Sequence, residues 1–238
     1  MQAPSRDWTG GPDGAPVPPS RLLVVSPHYD DAILSCGGWL SVCPGSTVVT
    51  VCSGLADASD RLTDWDRRCG FSSAAEAMAR RQQENQKALS MIECAGLDLG
   101  LQDSQYREAP DEDRSLMTER LFHAVASLAP DVVAIPLGLF HGDHMRVGDA
   151  GLMIREATPG VAWFAYEDVP YRSYPGLVQE RLVQLHARGI AATPHPYAVD
   201  AGAKARLISA YASQLKGLGR SARELAAQEC YWRLSAPR

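Results

Sequence analysis

Four short runs of continuous apolar, often β-branched character punctuate the chain, at Leu22 to Ser26, Thr47 to Cys52, Asp131 to Pro136 and Val161 to Tyr166. Runs without polar alternation mark strands covered on both faces. Between them the pattern turns to helix formers, over Ala32 to Val42, Ser73 to Cys94, Asp111 to Leu128, Met145 to Arg155 and Ala201 to Leu218. Strands alternating with helices predict an α/β fold, a three-layer Rossmann-like arrangement in which a mainly parallel sheet carries helices on both faces. Asp57 to Phe71 reads as a charged loop, and Pro170 to Pro175 and Thr193 to Tyr197 as turn-like connections. Residues 1–19 are rich in Pro and Gly and predict a flexible arm that buries little. With no internal repeat and no further boundary, residues 20–238 read as a single domain.

Composition narrows the function. A chain of 238 residues with 45% hydrophobic content suffices for one core of the larger kind. A formal charge of -5 and a pI near 5.7 turn the reading away from nucleic acid. The cysteines at 36, 43, 52, 69, 94 and 230 show no CxxC spacing and fit a reduced, cytoplasmic setting. No apolar run approaches the roughly 20 residues of a spanning helix, and the amino terminus lacks a signal-peptide stretch, so no membrane partner is expected. A homo-oligomer is left open.

Two clusters hold most of the chemistry. Pro27-His28-Tyr29-Asp30-Asp31 follows one apolar strand, and His141-Gly142-Asp143-His144 follows another. In a parallel sheet ligands bind beyond the carboxyl ends of the strands, where both clusters fall. A catalytic zinc takes three His, Asp or Glu ligands and keeps a position open for water. Two residues of the first cluster and one histidine of the second fill that set and leave groups over for proton transfer. Spacing alone does not separate Asp30 from Asp31. Each cluster also has a plain reading as a helix N-cap, Asp30 or Asp31 in one and Asp143 in the other, but the two together would waste four metal-competent residues.

The same residues resemble a known family. Pro27-His28-x-Asp30-Asp31, then Leu34-Ser35-Cys36-Gly37-Gly38, then His141-x-Asp143-His144, are similar to the LmbE-like, or PIG-L, zinc-dependent N-deacetylases. Asp103-Ser104-Gln105-Tyr106-Arg107 and Tyr166-Glu167-Asp168-Val169-Pro170-Tyr171 look like a bacterial branch, and the likeness runs nearly the length of the chain after residue 20. Tyr29 and Ala32 depart from the family's His-Pro-Asp-Asp-Glu form at positions that are not ligands in it. The resemblance implies that His28, Asp31 and His144 ligate Zn2+, with Fe2+ or another divalent ion as the variant. It further implies that Asp30 is the general base and that the substrate is a small N-acetylglucosaminyl or related amide. His141, expected to be held charged by Asp143, is then the acid or oxyanion donor.

Arg68, Asp103, Tyr106, Tyr166 and Asp168 are the candidate substrate contacts; Trp65 offers a stacking surface, although an aromatic in a mixed loop more often anchors that loop to the core. Gly37-Gly38 suit close helix packing better than phosphate binding, since no GxGxxG or P-loop is present. Three other readings stand beside this one. One is an amidase of a thiol-sugar conjugate or another N-acyl natural-product intermediate. The second is a sugar-binding protein without turnover, against which the intact Asp30 counts. The third is a non-haem iron oxygenase using a 2-His-1-carboxylate set, which would require an all-β jelly roll.

Overall fold

A computed structural model describes residues 21–56, 60–107, 114–196 and 200–237. The expected arm at 1–19, part of the charged loop, residues 111–113 and Tyr197 lie outside the described residues. The elements in chain order are β1 (Leu22–Ser26), α1 (Asp31–Ser41), β2 (Thr47–Thr50), α2 (Asp64–Cys69), α3 (Ala74–Ser90), β3 (Ala95–Asp98), α4 (Arg114–Leu128) and β4 (Val132–Pro136). There follow α5 (Gly142–Arg155), β5 (Ala162–Tyr166), α6 (Leu177–Ala187), β6 (Ala191–Pro196), α7 (Ala201–Ile208), α8 (Ala212–Leu218), α9 (Ala222–Leu225) and β7 (Cys230–Ser235).

One seven-stranded sheet runs β3-β2-β1-β4-β5-β7-β6. The first five strands are parallel, and β7 lies antiparallel between β5 and β6. β1 and β4 are both buried along their whole length, which is why their sequences are continuous apolar runs. The period-2 alternation of a strand then splits the interior into two layers. Leu22, Val24 and Ala134 face α1 and α7, while Leu23, Val25, Val133 and Ile135 face α4 and α5. The doubly covered sheet expected from the sequence is therefore present, and it is not the jelly roll that the iron-oxygenase reading requires.

The differences from expectation sit at edges and breaks. The charged loop contains α2, started by Thr63, whose side chain accepts from the Asp66 N–H, and ended by Gly70 at φ 96°. Thr193 to Pro196 is not a turn but part of edge strand β6, where Pro194 and Pro196 are tolerated because an edge leaves one side unpaired. β3 and β7 carry too little continuous apolar sequence to be read as strands. The single helix expected over 201–218 is two, α7 and α8, with a break at 209–211 where Ser209 Oγ bonds back to the Ala205 carbonyl. α6 and α9 add helices beyond those expected, and α5 starts at Gly142, three residues early. Among the described residues no helix is long and apolar enough to cross a membrane.

The order of strands fixes where a site can form. β1 has β2 on one side and β4 on the other, so the chain leaves neighbouring strands in opposite directions between β1 and β4. That switch point opens a crevice at the strands' carboxyl ends, and the two histidine clusters emerge into it.

Candidate active site

The first cluster is shaped by Ser26, the last residue of β1. Its hydroxyl donates to the His28 carbonyl and accepts from the Ala32 N–H at 2.9 Å, pulling Pro27 to Asp31 into a tight turn at the head of α1. Asp31 then reaches back, and its Oδ2 accepts from the His28 backbone N–H at 2.9 Å. Asp30 occupies the N-cap position of α1, but its carboxylate makes no capping bond. The plain reading of Asp30 as a cap does not apply.

The second cluster is set by a reversal after β4. Gly138, at φ 86°, lets the chain fold back so closely that a Cβ there would lie 3.0 Å from Met145 Cα. His141 caps α5, its Nδ1 accepting the Asp143 N–H at 3.2 Å. Asp143 and His144 follow in the first turn and are buried.

Across the crevice the clusters converge on one carboxylate. Asp31 Oδ2 lies 3.1 Å from His28 Nδ1 and 3.2 Å from His144 Nε2. Ligand atoms about 2.0–2.1 Å from a tetrahedral zinc stand roughly 3.3 Å from one another, so these separations fit the edges of such a site. One ligand atom from each of His28, Asp31 and His144 lies within 4.8 Å of the other two, and the same holds for His28, His141 and Asp143. His28 lies between the two groups, with Nε2 3.3 Å from Asp143 Oδ2. The donor set is the nitrogen and oxygen mixture that a divalent ion of the zinc kind takes.

Behind each metal-competent residue stands an orienting partner. His144 Nδ1 meets Asp168 Oδ1 at 2.6 Å, and Asp168 Oδ2 accepts the Gly138 and Leu139 N–H groups, both at 3.0 Å. A carboxylate on the far nitrogen of a ligand histidine fixes its tautomer. Asp143 takes the Ser104 N–H at 2.9 Å and the Arg107 guanidinium, besides facing His28. Arg107 has a buried side chain, and no role was read for it in the sequence.

Charge follows from these contacts. Burial and the Asp31 carboxylate push Asp30 up to about 7. Burial opposes ionisation of Asp31, yet His144 and His28 hold it well below the usual carboxylate range. Burial likewise works against His144, but Asp31 and Asp168 raise it to about 10. His28 is held well above its ordinary value against burial, by Asp103, Asp143 and Asp31. His141 goes the other way, lowered to about 4 by burial and by the neighbouring His28 and His144. The expected charged pair of His141 and Asp143 is thus corrected. Asp143 gives His141 its backbone N–H and turns its carboxylate to Arg107, Ser104 and His28, so His141 is neutral, with its proton on Nε2.

A cavity of about 190 Å³ opens beside this group, lined by His28, Asp30, Asp31 and His141. Trp65, Arg81, Asp103, Gln105, Pro170, Tyr171, Gln214 and Leu218 line the rest together with Tyr29. Of the candidate substrate contacts, Asp103 is on this wall, steadied by Gln105 N at 3.1 Å and Gln105 Nε2 at 2.7 Å. The others are elsewhere. Tyr106 is buried and donates to Asp66, Tyr166 is buried and donates to the Val25 carbonyl at 2.8 Å, and Asp168 is buried behind His144. Arg68 is exposed and sits over the Trp65 ring at 5.5 Å. Tyr171 and Gln214 were not picked out individually from the sequence. Tyr171 follows β5, next to β4 in the sheet, which is the signal that would have placed it here.

Comparison with known proteins gives a consistent picture. Residues 23–154 match the PIG-L model, described as GlcNAc-PI de-N-acetylase. The 2'-N-acetylparomamine deacetylase of Streptomyces fradiae is 30% identical over 191 residues, 71% of this chain and 64% of that protein, so the chain spans less than two thirds of that relative. Among solved structures, the A40926 pseudoaglycone deacetylase Dbv21 superposes with a TM-score of 0.74 at 25% identity over 91% of this chain and 98% of that one. A triple mutant of a deacetylase of the teicoplanin biosynthetic pathway gives 0.73 at 24% over the same shares, a likeness of fold.

Proposed function

The chain belongs to the PIG-L family, and on that premise we propose that it hydrolyses the acetamide of an N-acetylated amino sugar, releasing acetate and a free amine. One observation carries the proposal. Two histidines share a single Asp31 oxygen at 3.1 and 3.2 Å, and His28 and Asp31 of that group line a cavity together with an uncapped carboxylate, Asp30.

In this reading His28, Asp31 and His144 hold the ion, zinc by the family's habit, with Fe2+ or another divalent ion as the variant. An ion so held lowers the pKa of water it binds and polarises the amide carbonyl. Asp30, next to the ligand Asp31 and free of any capping bond, takes the proton of the attacking water as the new C–O bond forms. The same proton goes to the sugar nitrogen as the C–N bond breaks. His141 Nε2–H donates to the carbonyl oxygen as negative charge builds there, and the Asp143 N–H on Nδ1 keeps that proton on the correct nitrogen. His141 therefore serves as an oxyanion donor more readily than as a charged acid. Asp168 orients His144, and Asp143 with Arg107 holds the far side of His28. The substrate is a small molecule in the cytoplasm, a setting that the unpaired cysteines fit.

The test is elemental analysis of the purified protein joined to fluorescent detection of new amines from a panel of N-acetyl sugars and sugar conjugates. About one zinc per chain with amine release is the expected result. Iron in place of zinc with amine release changes only the ion, whereas no bound metal removes the proposal.

A further inference from the structure

Phe140, which precedes His141, is 62% exposed although it is a large apolar residue. Its backbone is also costly. φ is 59°, and the His141 N–H bonds to the Leu139 carbonyl at 2.6 Å, closing a γ-turn around Phe140. Glycine or asparagine takes such a backbone readily, whereas a bulky side chain there is an outlier whose retention asks for a use. Packing into the core is not that use, because the ring points into solvent.

Phe140 is not alone. Its ring lies 5.4 Å from that of Tyr171 and 5.3 Å from that of Tyr174, which is 49% exposed. Tyr171 is in turn stacked on His141 at 6.2 Å and lines the cavity. The three rings therefore form one aromatic surface that begins at the reacting group and runs outward. The cavity itself, about 190 Å³, is smaller than the about 300–1,000 Å³ usual for whole ligands, so only part of a conjugated substrate fits within it.

We propose that Phe140 and Tyr174 are the subsite for a flat, apolar aglycone, so that the substrate is an N-acetyl amino sugar joined to an aromatic group rather than a free polar sugar. The sugar end of this proposal rests on the deacetylase reading above. Continuity through Tyr171 puts the aglycone of a cavity-bound sugar over these rings, where stacking and burial of apolar surface favour it. A strained loop that both aims His141 and exposes Phe140 couples the reacting group to the reading of the aglycone.

The experiment is calorimetric titration of the zinc-loaded Asp30→Ala full chain with 4-nitrophenyl N-acetyl-β-glucosaminide and with its methyl counterpart, alongside amine release by the parent protein. The aryl glycoside is expected to bind about tenfold tighter, the gain of one to two good aromatic contacts. Adding Phe140→Ala or Tyr174→Ala should remove most of that difference, and Phe140→Gly should do so while also relieving the turn. Equal affinity for the two glycosides, no measurable binding of either, or an aryl preference indifferent to all three substitutions overturns the subsite. An aryl preference that follows the rings without amine release from any substrate leaves the subsite standing and overturns the deacetylase reading instead.

Discussion

Replacing Asp168 by asparagine separates the metal-orienting role of that residue from a merely structural one. The carboxylate accepts on both oxygens, one facing His144 Nδ1 and the other facing the Gly138 and Leu139 N–H groups. An amide has only one accepting end. If its oxygen stays with His144, its NH2 confronts two buried backbone donors, and each donor left unpaired costs about 1–3 kcal/mol. If its oxygen serves the backbone, its NH2 points at His144 Nδ1, which must then accept and leave the proton on Nε2. In the metal-free protein that second arrangement gives up the pairing of a protonated His144 with the Asp168 carboxylate, and keeps His144 Nε2–H donating to Asp31 Oδ2 3.2 Å away.

The second arrangement wins without metal, and a further cost falls on metal binding, since a protonated Nε2 cannot be a ligand. Loss of such an orienting carboxylate lowers metal affinity or activity about 10- to 100-fold, or roughly 1.4–2.8 kcal/mol. Competition with a chromophoric chelator should show that loss of zinc affinity. A thermal melt of the metal-free variant should fall by several degrees for the lost His144–Asp168 pair, at about 2–4 °C for each 1 kcal/mol at this chain length. Unchanged zinc affinity together with a much lower Tm would refute the reasoning, because it would mean that the two backbone donors are what Asp168 is for.

Asp30→Ala should keep its zinc while losing about 10²- to 10⁴-fold in turnover, whereas His28→Ala and His144→Ala should lose the metal; metal loss in all three, read by elemental analysis, would make Asp30 a ligand. Gly148→Ala should lower stability by about 1–3 kcal/mol, because its Cβ would meet the Pro136 carbonyl oxygen at 2.8 Å and backbone cannot rotate aside, and a denaturant midpoint equal to the parent's would contradict this. Burial resists ionisation of Asp149, but Arg181 at 2.7 Å and Arg188 at 2.6 Å hold its pKa below the ordinary value. A depressed folded-state pKa gives stability that is present above the unfolded value near 4 and is lost as pH falls through the folded one. The gap in urea midpoint between the parent and Asp149→Asn should therefore be constant above about pH 5 and shrink in more acid solution, and a gap independent of pH would argue against the pair.

What the sequence disclosed of the fold follows burial. β1, β2, β4 and β5 are covered on both faces, so nearly every residue in them is apolar and their positions could be read to within two residues. β3 is an exposed edge of sequence AGLD, and β6 an edge interrupted by two prolines; neither has to be apolar, and the pattern is silent there. α2 is masked for a related reason, since Asp64, Arg67 and Arg68 face solvent and only Asp66 and Cys69 are buried. Asp168 was noticed as a substrate contact, but it lies buried behind His144 and off the cavity wall. Its place after β5, beside β4, puts it at the same end of the sheet as His144, and the need of a ligand histidine for a carboxylate on its other nitrogen would have selected it.

The pairing of His141 with Asp143 shows where adjacency in sequence misleads about charge. At a helix N-cap the side chain is positioned to accept a backbone N–H two or three residues on, and His141 accepts that of Asp143. The Asp143 carboxylate stays within 4.8 Å of the imidazole but makes its hydrogen bonds to Arg107 and Ser104. Burial and the His28 and His144 rings at 5.1 and 5.3 Å lower His141 by more than Asp143 and Asp103 raise it, which favours the neutral imidazole. A neutral donor cannot also deliver a proton to the leaving nitrogen without leaving an imidazolate behind. On the proposed mechanism both proton transfers then fall to Asp30, first as acceptor from water and then as donor to nitrogen. His141→Gln, which keeps an N–H donor, should in consequence retain more activity than His141→Ala, whereas a charged-acid role would make the two equally poor.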